Sequence, residues 1–401
     1  MASTSEPRLC RALVLHGAKD LRLESRPTPP PSHTDLQISI HATGLCGSDL
    51  HYYNHGRNGA FILRSPLILG HESAGTVTAI GSAVPNEHNF QIGDRVALEV
   101  GLPCTTCPLC LQGRYNICPT LRFRSSAKTF PHLDGTLMEL TNHPANMCHK
   151  LPSNISDMQA ALIEPLAVCL HAIRRSRPPS VELVKLARDA GEGTGALVFG
   201  AGAIGLLLAS ALAATQHFDT IVIADIDEAR LEIAAALPFR EGNIRTYLLP
   251  NPRTATATPP PPETETAQNI LATFSSPHGF SRTYDCTGVA SCIRMGIYAT
   301  GPGGAVVQIG MGGEAQPNIP LAAAALREVD LIGVFRYDGQ GYPDAVKLLG
   351  SGSLEGVAEL VVTHRVRLEE GERAFELAGR GVDEEGKTVV KVVVVSGEGG
   401  E

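Results

Sequence analysis

The stretch ALVFGAGAIGLLLASALAA (196–214) leaves few folds open. A short apolar run enters it, an apolar helical run leaves it, and Gly200, Gly202 and Gly205 lie between in the spacing G-x-G-x-x-G. Alone, that spacing is a weak signal; a strand before it and a helix after it give it meaning. Gly200 permits a tight turn, Gly202 lets the backbone approach a pyrophosphate, and Gly205 lets helix and strand pack closely. The helix N-terminus then offers free N–H groups and a positive dipole end to the phosphates. TIVIAD follows as a second buried strand and ends on Asp225, twenty positions after Gly205. A carboxylate there accepts from the ribose hydroxyls and repels a 2′-phosphate, which favours NAD over NADP; Arg230 nearby pulls the other way. DEARLEIAAAL reads as a further helix, and SRTYDCTG, AVVQIG and VDLIGVF continue the alternation. Buried strands alternating with helices predict βαβ units on a parallel sheet.

The region before residue 196 has a different rhythm. LQISIHATG, AGTVTAIG and DRVALEVG are short β-type runs broken by Gly and Pro, which predicts an irregular, mostly antiparallel β domain. A chain of 401 residues accommodates two such domains. The run VVKVVVV near the end is a further strand that could rejoin the first domain. NPRTATATPPPPETETAQ (251–268) reads as an exposed, low-complexity insertion that forms neither helix nor interior strand. RRSRPPSVELVKLARDAGEGTG (174–195) is longer than a tight connection needs. No apolar run reaches the length of a membrane span, and the first residues lack the apolar core of a secretory signal.

Cys104, Cys107, Cys110 and Cys118 form the pattern C-x2-C-x2-C-x7-C. Four thiolates so spaced can close around one zinc with no position left open, which makes a structural site. A zinc ribbon for nucleic acid is the competing reading, and a net charge of −8 disfavours it. Ten cysteines in a chain without a secretory signal read as thiols and metal ligands, not disulfides. A second set, Cys46, His71 and Glu72, offers a thiolate, an imidazole and a carboxylate; three ligands leave a place for water or substrate.

With GLCGSDLHYYNHGR, PLILGHESAGTV, GDRVALE, GRYNICP, ALIEPLAV, GAGAIG, REVDLIGVFRY and VVTHR in view, the chain resembles the zinc-containing medium-chain alcohol dehydrogenases. The resemblance runs from near residue 40 to near residue 366, and it is closest to the polyol branch of sorbitol, xylitol and L-arabinitol dehydrogenases. It implies an α/β fold with a Rossmann doubly wound parallel sheet and a β-rich GroES-like catalytic domain. The catalytic domain would take residues 1–165 and 336–401 and the Rossmann domain 166–335, with the active site in the cleft between them. It implies zinc-assisted hydride transfer from a polyol to NAD, giving a ketose, with one catalytic and one structural zinc per subunit.

By the same resemblance, Cys46, His71, Glu72 and Glu164 serve the catalytic zinc, and sequence does not rank the two glutamates. Asp49 orients the histidine. Tyr52, Glu164, Arg336 and Tyr337 match polyol-contacting positions. Ile204, Asp225, Arg230, Ile309, Gly310, Met311, Val334, Phe335 and Arg336 join the loop glycines as cofactor contacts. Ser48 donates to the reacting oxygen or caps a helix, and His51 is a further proton acceptor. A cytoplasmic homo-oligomer, tetramer or dimer, follows from the family, with no nucleic-acid or membrane partner. The segment RFRSSAKTFPHLDG (122–135) departs from the family's usual form, as do Val100 and YDGQGYP (337–343). The alternatives are a sister dehydrogenase for a secondary alcohol or threonine, and an inactive NAD-binding relative. The latter would be expected to lose Cys46, His71 or Glu72.

Overall fold

The strand Asp35–Gly44 buries Leu36, Ile38, Ile40 and Ala42 on one face, the alternation that LQISIHATG foreshadows. A computed structural model describes residues 7–190, 193–251, 261–312 and 318–397. The chain divides into two compact units. The first comprises Met1–Pro165, Asp338–Gly352 and Val362–Glu401. Its largest sheet runs in the order Cys148–Lys150, Arg95–Leu98, Glu72–Ile80, Asp35–Gly44, Lys391–Val395, Val362–Arg367, with Leu140–Pro144 also paired to Asp35–Gly44. All its pairs are antiparallel except Val362–Arg367 with Lys391–Val395. A second sheet orders Asp20–Thr28, Arg8–Gly17 and Leu67–Ile68. Leu13, Leu15, Leu69, Leu137, Phe375 and Val394 share one buried cluster, into which Tyr52 and Tyr53 also pack.

The second unit, Leu166–Tyr337 and Ser353–Val361, holds a six-stranded sheet with every pair parallel. The order is Ile244–Leu248, Thr220–Asp225, Gly195–Phe199, Phe280–Asp285, Thr300–Gln308, Asp330–Gly333. Numbered by sequence this is 3-2-1-4-5-6, the doubly wound arrangement of dinucleotide-binding folds. The order reverses beside the first strand, so a crevice opens at its carboxyl end, where the glycine loop lies. Ala196–Phe199 are fully buried, and the helix Ala203–Thr215 buries Gly205 through Leu212. The α/β class with a β-rich first part stands as expected.

One reading needs correction. Residues 263–268 of the Pro/Thr-rich segment do form a helix, Glu263–Thr273, with Thr266, Ala267 and Ile270 buried. The prolines end at Pro262, which occupies the cap, and the first helical turn needs no proline-free donor pattern before it. Glu263 and Glu265 in that first turn further suit the helix dipole. Residues 252–260 of the same call lie outside the described residues. The long connection 174–195 likewise contains a helix, Val181–Asp189, capped by the Ser180 hydroxyl accepting from Leu183 N–H. Among the described residues no helix is long and apolar enough to cross a membrane.

Candidate functional site

Cys46 sits at the cap of the helix Gly47–His55, and its N–H donates to Asp49 Oδ2 at 3.2 Å. Asp49 is fully buried, and its other oxygen collects three groups. Ser125 Oγ donates at 2.6 Å, Gly70 N–H donates at 3.2 Å, and His71 Nδ1 lies 3.3 Å away. Burial pushes the Asp49 carboxyl up, but His71 and the hydrogen bonds from His71, Ser125 and Cys46 hold it below its ordinary range. Burial opposes the charge on His71, and Asp49 and Cys46 outweigh it, which raises His71 well above its ordinary value. Gly70 has φ +89°, and a Cβ there would meet Leu137 Cγ at 2.7 Å and Thr43 Cγ2 at 2.8 Å. That turn needs glycine, and it delivers His71 and Glu72 to the start of the strand Glu72–Ile80.

Donor atoms of Cys46, His71 and Glu72 lie within 4.8 Å of one another. A soft sulfur, an imidazole nitrogen and a carboxylate oxygen, two of the three residues buried, suit zinc with a position left open. Glu164 is buried in the first turn of the helix Ile163–Ser176 and falls outside that triad, yet its charge reaches Lys391. Lys391 is buried and ion-paired with Glu72. Burial works against its ammonium, and Glu72, Cys46 and Glu164 overcome it and raise its pKa. Ser48 lies in the first turn of the Cys46-capped helix, half-buried, and His51 is exposed on the same helix. Tyr52 is buried, and its hydroxyl accepts from Ala127 N–H at 2.9 Å. It therefore anchors the segment 122–135, the same segment that delivers Ser125 to Asp49.

The four-cysteine cluster brings Sγ atoms to 3.5 Å (Cys107 to Cys110), 3.6 Å (Cys118 to Cys104) and 3.9 Å (Cys104 to Cys110). A tetrahedron of ~2.3 Å zinc–sulfur bonds places sulfurs about 3.8 Å apart, so the cluster fits the ion without rearrangement. Donation from the Thr106 and Cys107 N–H groups lowers the Cys104 thiol to about 5, while burial raises Cys110 to about 12. Cys104 is thus a ready thiolate. Tyr115, within GRYNICP, donates to the buried Glu99 of GDRVALE, which ties this lobe to the main sheet. None of the ten cysteines is disulfide-bonded.

In the second unit Gly200 adopts φ +98°, and a Cβ on Gly205 would collide with the Gly200 carbonyl. Asp225 Oδ2 accepts from Ala201 N–H at 2.6 Å, and Oδ1 from Asp227 N–H at 3.0 Å. The carboxylate thus binds the glycine loop to the turn after the second strand. Arg230 Nη1 stands 3.6 Å from where a Gly202 Cβ would be, and the side chain also pairs with Asp227 at 3.7 Å. Gly200, Asp225, Ile226, Leu249, Thr287 and Val289 line a cleft of about 420 Å³ that opens to solvent. Its mostly apolar walls, with the carboxylates of Asp225 and Glu263 among them, suit an adenosine. Ile204 lies in the first helical turn. Ile309 and Gly310 donate their N–H groups to the Asp285 carbonyl, and Val334 N–H bonds Gln308 O. Met311, Phe335 and Arg336 follow these strand ends, with Arg336 at φ +54° and its guanidinium 4.8 Å over the Phe335 ring. Tyr337 is buried.

Residues 32–153 match the alcohol dehydrogenase GroES-like domain, and residues 203–351 match the zinc-binding dehydrogenase domain. Sorbitol dehydrogenase of Mus musculus is 39% identical over 380 residues, covering 92% of this chain and 93% of that protein. The chain belongs to the zinc-containing medium-chain alcohol dehydrogenases. Within this family it falls on the branch that holds the sorbitol dehydrogenases; that of Homo sapiens is 38% identical over 391 residues, covering 95% of this chain and 96% of that protein. L-idonate 5-dehydrogenase of Escherichia coli superposes with a TM-score of 0.79 at 25% identity, covering 98% of this chain and all of that one.

Three groups escaped the sequence reading of this family member. Ser125 gave no signal, since serine in a loop is commonplace. Asp285, fully buried at a strand end and held by Thr287, Gly288 and Gln308, was visible only as one residue of the strand-like run SRTYDCTG. Lys391 did carry a signal: one charge inside VVKVVVV, where a buried strand tolerates none without a partner.

Proposed function

We propose that this enzyme oxidises a polyol such as sorbitol, xylitol or L-arabinitol to a ketose, passing the hydride to NAD. The convergence of Cys46, His71 and Glu72 in a chain 39% identical to a sorbitol dehydrogenase carries this reading. Those three residues hold a catalytic zinc, with Glu164 beside them, and Cys104, Cys107, Cys110 and Cys118 hold a structural one. When bound, zinc lowers the pKa of a hydroxyl and NAD accepts the hydride. The protein's own part is positional. Asp49 fixes the His71 ring, and Ser125 fixes Asp49. Ser48, with Glu164 and His51, passes the hydroxyl proton to solvent. Arg336, Tyr337 and Tyr52 serve the remaining hydroxyls of the polyol. Gly200, Gly202 and Gly205 cradle the pyrophosphate, Asp225 takes the ribose hydroxyls, and Arg230 lies beside the phosphates.

Purified protein assayed with NAD⁺ or NADP⁺ against sorbitol, xylitol, L-arabinitol and ethanol tests this, read by absorbance of the reduced cofactor. Turnover of at least one polyol with NAD⁺ is expected. Brisk ethanol oxidation with no polyol turnover would sink the polyol assignment. We also place the enzyme in the cytoplasm as a homo-oligomer. Ten cysteines outside any disulfide support a reducing compartment. The edge strand Asp330–Gly333, with Leu326 and Leu331 exposed beside it, supports pairing with a second copy. Leu331→Lys should lower the mass seen by light scattering; an unchanged mass would move the interface elsewhere.

A further inference from the structure

Lys391 opens the strand Lys391–Val395, whose first four residues are all buried. Two positions on, Val393 pairs with Gly44, and Gly44 in turn pairs with Glu72 on the next strand. Residues two apart share a face of the sheet, so Lys391 and Glu72 lie on one face with the strand Asp35–Gly44 between them. At that crossing the intervening strand carries no side chain. A Cβ on Gly44 would strike the Glu72 carboxylate and stand 3.0 Å from Lys391 Cε. The missing side chain opens a gap across one strand, and the ammonium passes through it to reach Glu72 Oε2. A buried ammonium without such a partner would be costly, which makes the pairing a built feature.

The donor set beside this pair is rich in negative charge. A Cys46 thiolate, Glu72 and the nearby Glu164 carry three negative charges, and Asp49 behind His71 adds a fourth; they exceed the two positive charges of a zinc ion, and Lys391 is a buried cation that offsets part of the excess. We propose that Lys391 is a positioning residue of the metal centre: by holding one Glu72 oxygen and offsetting its charge, it weakens Glu72 as a donor and keeps the zinc electrophilic. The inference rests on the assignment of Cys46, His71 and Glu72 to zinc.

Zinc affinity of the full chain, measured by competition with a chromogenic chelator, tests it without any substrate, and the four-cysteine zinc serves as internal reference. Removing a neighbouring positive charge makes a cation bind tighter, whereas removing a side chain that only fills space leaves a cavity and loosens the site. The two roles therefore predict opposite signs. In Lys391→Met, and in the smaller polar change Lys391→Gln, one of the two zinc ions should bind roughly tenfold or more tighter. Lys391→Arg, which keeps the charge, should stay near the wild-type value. Equal or looser zinc in both neutral variants would overturn the proposal. Wild-type protein that binds zinc at the four cysteines alone would instead overturn the underlying ligand assignment, and the inference with it.

Discussion

Ser125 combines two features that rarely coincide: a buried hydroxyl bonded to a carboxylate, and a left-handed backbone at φ +60°. A non-glycine residue there stores about 1 kcal/mol of strain. Ser125→Gly should therefore be more stable than Ser125→Ala by about that amount, read from urea denaturation. Both variants leave Asp49 without its shortest bond. Each should release the catalytic zinc to a chelator roughly tenfold faster than wild type. Equal retention in all three proteins would show that Asp49 orients His71 unaided. The same pair of residues shows what a sequence discloses. Gly200, Gly205 and Asp225 act within one strand–turn–helix–strand unit, so their spacing, read with the strands and helix around it, conveys their use. Ser125 acts on Asp49 from another segment, and Lys391 reaches Glu72 from more than three hundred positions along the chain. Ser125 has no local pattern to announce it, and the lone charge in VVKVVVV marks Lys391 without naming its partner.

At the scale of single elements, charge placement fixes where helices begin. Asp157 opens the helix Asp157–Ala161, and Ser156 and Gln159 exchange hydrogen bonds across its cap. The Asp157 carboxylate meets His41 Nδ1 at 3.2 Å and Arg95 Nη2 at 2.5 Å, which joins helix to sheet. Its hydrogen bond to His41, with help from Arg95, lowers the carboxyl from 3.8 to about 2. A depressed acid stabilises the fold above its ordinary pKa of 3.8 and loses that contribution as pH falls through about 2. Asp157→Asn should cost about 1 kcal/mol at pH 7. Urea midpoints of the two proteins should converge as pH drops below about 4. A gap that persisted unchanged to pH 3 would exclude the ionised pair as its source. The helix Glu263–Thr273 teaches the complementary lesson. Composition blurred its start because prolines and acidic residues belong to both disordered segments and helix N-termini.

For the molecule as a whole, the two cysteine-bearing sites have separable duties. The first half of the Cys104–Cys118 lobe has little apolar support of its own, since Cys104 is exposed and the short helix Pro108–Leu111 buries nothing, whereas Tyr115 and Cys118 are buried. Cys118→Ser should remove one zinc of two and lower the melting temperature by several degrees, while the Cys46 centre keeps its metal. Retention of both zinc ions would refute the four-thiolate site.

The parallel partner of Val362–Arg367 carries one more consequence. Lys391–Val395 lies inside the main sheet of the first unit, between Asp35–Gly44 and Val362–Arg367, yet along the chain it comes after the whole of the parallel-sheet unit. The parallel-sheet unit is nearly continuous in the chain and is free to fold while the ribosome still works. The first unit, although its first segment is born earlier, must wait with an open sheet and an uncompensated Glu72 until Lys391–Val395 has emerged. A nascent chain stalled before Lys391 is therefore expected to expose a sticky strand edge, and the enzyme's need for chaperones should peak in that interval.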